Sequence, residues 1–151
     1  MSEEQILKMY HTLAIAPHYE LGHSSVICTH QGDFYSKKTV NQILEKYCLM
    51  YGSDLQGRIK ATRKQLKYVK NPPILISELR RIGGFQVPHP KGFDASWIFD
   101  LQAFLQPLSD SHTEIILSNK KSIITSLPIN LVKNRKDRAI RMLYEYAPLI
   151  P

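Results

Sequence analysis

Apolar residues recur at helical steps in three stretches of the first half of the chain and at strand steps through most of the second. Ile6, Leu7, Tyr10 and Leu13 share one helical face behind Ser2, with Gln5 three residues on. That spacing predicts a capped amphipathic helix from Glu3 to Leu13, ending near Ala16-Pro17. His18 to Thr29 is extended in character, His30 to Asp33 is a turn, and Phe34 to Ser36 is a second strand, which together predict a hairpin. Thr39 is placed to cap a helix reaching Met50, with Val40, Ile43, Leu44, Tyr47 and Cys48 on its apolar stripe.

Ser53 to Gln56 has capping-box spacing, and Leu55, Ile59, Thr62 and Leu66 then recur at three- and four-residue steps. A basic helix near residues 54–68 follows. Pro72-Pro73 ends it, and Ile74 to Ser77 is short, branched and apolar, the signature of a buried strand. Further strands are predicted at Phe85 to Val87, Ser96 to Phe104, Thr113 to Leu117 and Ser122 to Ser126, with Gly83-Gly84 as a turn between two of them. Asp110 to His112 and Ser118 to Lys121 mark turns, so the last two strands form a hairpin. The connections are too short for helical crossovers, which favours antiparallel pairing. Asn134 is read as the cap of a C-terminal helix near 134–146, with Ala139, Met142, Leu143 and Tyr146 inward and Pro148 ending it. The predicted class is α+β: one domain, a mostly antiparallel sheet of about five to seven strands, and three or four helices. Trp97, the only tryptophan, and Phe85 lie in apolar strands and belong to the core rather than to a wedge that enters DNA.

Charge alters this picture because it is segregated. The formal net charge is +7, yet residues 56 to 91 alone hold nine cations against one acid, Glu78. Residues 92 to 118 carry only acids: Asp94, Asp100, Asp110 and Glu114. From 119 onward seven cations face Asp137 and Glu145. Surfaces that only keep a protein in solution intersperse both signs, whereas duplex DNA releases condensed counterions to clustered cations. Two basic segments therefore flank an acidic one, and folding must bring them together or hold them apart.

Other chemistry is sparse. His18, His23, Cys28 and His30 form the only ligand-type cluster, but their spacing fits no zinc signature; strand alternation sets His23 opposite His18 and Cys28. Gly83-Gly84 lacks the lysine of a phosphate loop, and neither Ser24 nor Ser53 lies in a nucleophile elbow. An enzyme, a cofactor and a metal are not expected. Cys28 and Cys48 are read as buried, reduced thiols of a cytoplasmic protein, since no secretory signal opens the chain and no apolar run approaches the ~20 residues of a membrane span.

YGSDLQGR from Tyr51, KNPPILIS from Lys70, GGFQVP from Gly83 and SWIF from Ser96 resemble, in order and spacing, the signatures of the ComK competence transcription factor family. Weaker likeness runs through Gly32 to Tyr35, Glu45 to Cys48, Glu114 to Asn119, Leu127 to Ile129 and Arg138-Ala139, so it covers about residues 18 to 146. The resemblance implies a nucleoid-associated activator of DNA-uptake genes that binds A/T-rich duplexes through the minor groove. It further implies a homodimer or homotetramer on paired boxes, contact with RNA polymerase, and control by an adaptor and an ATP-dependent protease. The chain departs from the family pattern at Ala95, where a cysteine is common, at Phe99 to Leu101, where relatives carry a histidine-bearing segment, and at Lys120, where glycine is usual. With lysine there, Asn119 is the expected left-handed residue of that hairpin. The family's C-terminal tail, which helps present the protein to the adaptor, has no counterpart before Pro151, so that control is expected to be absent or moved.

The residues expected at DNA are Arg58, Lys60, Arg63, Lys64, Lys67 and Lys70 on one surface and Arg135, Arg138 and Arg141 on another, as phosphate contacts with minor-groove arginines among them. Arg58 is the favoured groove residue, since guanidinium is less strongly hydrated than ammonium; the structural alternative is a surface pair with Asp54. A basic RNA- or ribosome-associated protein, or a ComK-like protein that only binds partners, is the competing class. Tyr68 is the only aromatic in the basic stretch, which disfavours single-strand stacking.

Overall fold

The run TLAIAP after the first helix is apolar at nearly every position, which suits a strand covered on both faces better than the last turn of an amphipathic helix. In the computed structural model the chain leaves α1 (Glu3–Met9) at Tyr10, whose backbone is already extended, and enters β1 (Thr12–Pro17), buried throughout. The expected helix to Leu13 thus stops short, and Leu13 and Ala16 belong to a central strand. The structure describes residues 1–67, 70–92 and 94–145, with Gln65 and Leu66 as backbone alone. The sequence expectations for the Leu66 side chain, Tyr68, Tyr146 and Pro148 lie outside the described residues.

β2 (Ser25–Thr29) and β3 (Gly32–Ser36) follow β1 as an antiparallel meander. α2 (Val40–Met50) and α3 (Leu55–Leu66) then carry the chain to β4 (Ile74–Ser77), β5 (Ile82–Pro88) and β6 (Ala95–Ile98). The six strands form one sheet in the order β3-β2-β1-β6-β5-β4, closed in the middle by the antiparallel β1–β6 pair. β4 is an edge strand. β7 (Phe104–Pro107), β8 (Thr113–Ile116) and β9 (Ser122–Thr125) make a separate three-stranded antiparallel sheet, and α4 (Ile129–Glu145) ends the fold. The α+β class, the four helices and the size of the main sheet follow the sequence; the second sheet has no sequence signal, because its strands look like any others.

Both faces of the main sheet are covered, so β1, β2 and β4 are buried at every position. One face packs Ile15, Ile27, Ile74, Ile76 and Trp97 against Ile6, Leu7, Val40, Ile43, Leu44, Tyr47 and Cys48 of α1 and α2. The other packs Ala14, Ala16, Val26, Phe85, Val87 and Ile98 against Ile115, Ile123, Val132 and Ala139. Trp97 and Phe85 are core residues, as expected. Ser2 and Thr39 both form full capping boxes, with Gln5 and Gln42.

Four expectations give way for identifiable reasons. Gly83 and Gly84 lie inside β5 rather than in a turn: a β-carbon on Gly83 would stand 2.8 Å from Met142 of α4, and one on Gly84 2.5 Å from the Ile98 carbonyl oxygen. Glycine there permits close approach on both faces. The expected strand from Ser96 to Phe104 is split, because the amides of Phe99 and Asp100 both donate to Leu13 O, and Asp100 accepts from the Ser118 amide and hydroxyl at 2.6 and 2.7 Å. α4 begins five residues before Asn134, at Ile129, where Pro128 supplies its carbonyl to Leu131 and Val132 and has no amide to leave unpaired. In the last hairpin Lys120, not Asn119, takes the left-handed conformation, at φ 71°, while Asn119 donates to Thr29 O and accepts from the Lys121 amide.

Candidate nucleic-acid interface

The start of α3 is built by side chains other than the predicted pair. Asp54, not Ser53, is the N-cap and accepts from the Gly57 amide, while Glu45 of α2 accepts from the Leu55 amide at 3.0 Å. Ser53 is engaged elsewhere: its hydroxyl donates to Cys48 O and accepts from Arg58 Nε at 2.9 Å. Arg58 also donates to Ile76 O at 3.4 Å and pairs with Glu78 at 3.9 Å. Its side chain is 20% exposed. The inward face of α3 runs through Leu55 and Thr62, as read from the sequence, and Arg58 joins it beside the half-buried Ile59, its carbonyl accepting from the Thr62 hydroxyl.

That arrangement decides what α3 offers to a partner. Lys60, Arg63 and Lys64 are exposed and line an open groove with Asp54, Gln56, Gly57 and the half-buried Ile59. Lys67, the left-handed C-cap of the helix, and Lys70 are exposed as well. Arg58 does not share their surface. Its guanidinium contacts Ser53, Ile76 O and Glu78 rather than the Asp54 carboxylate that the structural alternative named.

The second basic segment approaches the same edge from the opposite face. α4 packs on β5 and β4 through Met142 and Leu143, which meet Leu75, whereas Ile74 and Ile76 point to the α2 side. Edge strand β4 is thus bracketed by the two cationic helices. Just ahead of it, Lys70 and Asn71 join Leu131, Asn134, Arg135 and Arg138 around a cleft of about 190 Å³. Arg135 is anchored by donation to Gln86 O at 3.0 Å; burial, and secondarily Arg138, hold its pKa below the ordinary value, the mark of cations crowded in a partly desolvated place. Lys136 donates to Ala103 O, and Arg141 is exposed one turn beyond Arg138. The nine cations selected from sequence therefore divide three ways: Lys60, Arg63, Lys64 and Lys67 on the outer face of α3; Lys70, Arg135 and Arg138 around the cleft, with Arg141 beyond; and Arg58 inside.

Three of the four acids of the middle segment are engaged in bonds of their own. Asp100 is buried against Ser118, Asp94 accepts from the Tyr19 hydroxyl at 3.2 Å, and Glu114 accepts from Ser122 at 2.7 Å on the second sheet. Among the described residues no group of three or more metal-ligating side chains comes together; His18 and His23 both pack on Tyr35, with ring centroids 4.6 and 5.7 Å away. Residues 18 to 24 turn rather than extend, which is why His23 does not face away from His18. Cys28 and Cys48 are free and buried, in the cores on opposite faces of the sheet, and burial pushes both thiols up to about 12.

Comparison with protein families matches the chain to the family described as ComK protein over residues 3–148. The chain belongs to the ComK family. No curated protein and no solved structure gave a significant match. This is a family of competence transcription factors, not of enzymes. Membership spans every element from α1 to α4, so the bracketed β4 edge is part of the family domain and not an appendage to it. Among the described residues no helix is long and apolar enough to cross a membrane.

Sequence reasoning missed Arg80, Arg81 and Asn71 as site neighbours. Arg80-Arg81 form the β4–β5 turn together with Glu78 and Leu79, and Arg81 donates to Leu143 O at the end of α4. Their presence in the basic segment was a signal, but only the fold shows that this turn ties both basic helices to one strand pair.

Proposed function

We propose that this ComK-family protein is a sequence-directed, DNA-binding activator of competence genes that engages A/T-rich duplexes largely through the minor groove. The observation that carries the reading is convergence: two cationic segments, far apart in sequence and separated by an acidic one, meet at the β4 edge. Clustered cations on one edge are what counterion release rewards, and a solvated surface has no use for such clustering. Lys60, Arg63, Lys64, Lys67 and Lys70 supply backbone contacts from α3 and its exit, and Arg138 and Arg141 extend them along α4. Arg135 positions its neighbours through Gln86. A chain of 17.4 kDa covers little duplex, so specificity comes from two or more copies on paired A/T boxes, acting in the nucleoid with RNA polymerase.

Competition between A/T duplex, G/C duplex and single strands tests this directly. Preferential, salt-sensitive binding of the A/T duplex supports the reading. Preference for single strands would reassign the edge to RNA, and no binding at all would leave a protein that acts through partners alone.

A further inference from the structure

Two leucines stand almost wholly in water, Leu21 at 94% and Leu79 at 83% exposure. Single exposed apolar side chains are ordinary, and Leu21 fits that description: its turn holds Glu20, and the adjacent Tyr19 hydroxyl donates to Asp94, an acidic setting. The surroundings of Leu79 differ in sign and in what they are tied to. Arg80 and Arg81 follow it directly. The Arg80 amide donates to Ser77 Oγ at 3.2 Å and the Arg81 amide to Glu78 O at 3.3 Å, with Arg81 in the left-handed region at φ 58°. From one side Arg58 of α3 pairs with Glu78, which offsets the one acid of the turn; from the other Arg81 is bonded to Leu143 O of α4. A leucine is thus held outward on a turn anchored to both basic helices.

We infer that Leu79 is a wedge that enters the minor groove of bound duplex and partly unstacks one base step, with Arg80 set against a flanking phosphate. Apolar wedges act by opening a base step, and the cost of opening is lowest at flexible pyrimidine–purine steps such as TA. A wedge reads deformability, so it selects A/T sequence containing a TA step over an uninterrupted A-tract without any base hydrogen bond. A pre-formed turn suits this task, because little further ordering is needed when the side chain inserts. The inference rests on the duplex-binding reading above and adds to it the residue that discriminates among A/T sequences.

The test uses duplexes carrying 2-aminopurine beside a central TA step, bound by the full chain and by Leu79→Ala and Leu79→Phe. Wild type is expected to bind with a rise in 2-aminopurine fluorescence. Leu79→Ala, at an exposed position, should bind with an unchanged salt slope but without that rise, and its preference for the TA duplex over an A-tract should fall by about ten-fold, the weight of one misread base pair. Leu79→Phe should restore both. An equal fluorescence rise with Leu79→Ala, or wild-type binding with no rise, overturns the wedge and leaves duplex binding intact. Failure of wild type to bind any duplex overturns both, and so separates the two failures.

Discussion

Arg58 and Glu78, one on the first turn of α3 and the other in the turn after β4, pair at 3.9 Å and tie the basic helix to the edge strand it flanks. With Ser53 and Ile76 O as further acceptors, the guanidinium is a fastener between helix and sheet. Arg58→Ala should lower unfolding free energy by about 1–2 kcal/mol, less than a fully buried charged hydrogen bond is worth because Glu78 is half exposed. Arg58→Lys should recover part of it. Preference for A/T over G/C duplex should survive in Arg58→Lys; its loss in a stably folded variant would return Arg58 to the groove.

The exposed cations of α3 are expected to behave differently. Lys64→Ala should weaken binding to all duplexes about equally and reduce the slope of log affinity against log salt by about 1, with no change in thermal stability. A loss confined to one sequence would contradict a backbone contact.

Gly84 tests the close approach of β6 and Phe99 to β5. A β-carbon there meets the Ile98 carbonyl oxygen at 2.5 Å and the Phe99 ring at 2.8 Å, and a backbone atom cannot step aside as a side chain can. Gly84→Ala should cost about 1–3 kcal/mol in denaturant unfolding. An unchanged midpoint would show that the close approach is not maintained in solution.

The cysteines give a pH prediction with a definite sign. Burial raises both thiols from 9.0 to about 12 in the folded chain, with the nearby Asp33 adding to the effect at Cys28 and Glu45 at Cys48. An acid whose folded pKa is raised binds its proton more tightly in the folded state, so stability is unaffected below pH 9 and declines as pH rises from about 9 toward 12. Near neutrality, a thiol reagent should label Cys28 and Cys48 only at the rate of global unfolding. Rapid labelling of either in the folded protein would show that its core opens locally.

The class, the first three helices and the meander of short strands were legible because their cues are local: Ser2 with Gln5, Thr39 with Gln42, Pro72-Pro73, and branched runs between turns. What sequence could not show is tertiary. TLAIAP continues a helical stripe on paper, and only burial on both faces makes it a strand. Gly83-Gly84 looks like a turn until α4 and Ile98 are found pressed against it. Arg58 reads from the sequence as a groove residue, with Asp54 as its alternative partner, and only the fold brings Ser53, Ile76 O and Glu78 to it. Charge segregation was visible along the chain, but the cleft that joins Lys70 to Arg135 and Arg138 depends on α4 crossing back over β5, which no local pattern encodes.

Whether the two basic helices serve one DNA-binding edge is tested most directly by the salt dependence of A/T duplex binding for Lys64→Ala, Arg141→Ala and the double variant. A shared edge predicts a slope lower by about 1 for each single change and by about 2 for the pair, since each removes one phosphate contact of the same complex. A slope that falls for Lys64→Ala and is untouched by Arg141→Ala, alone or combined, would confine binding to α3 and contradict convergence at the β4 edge.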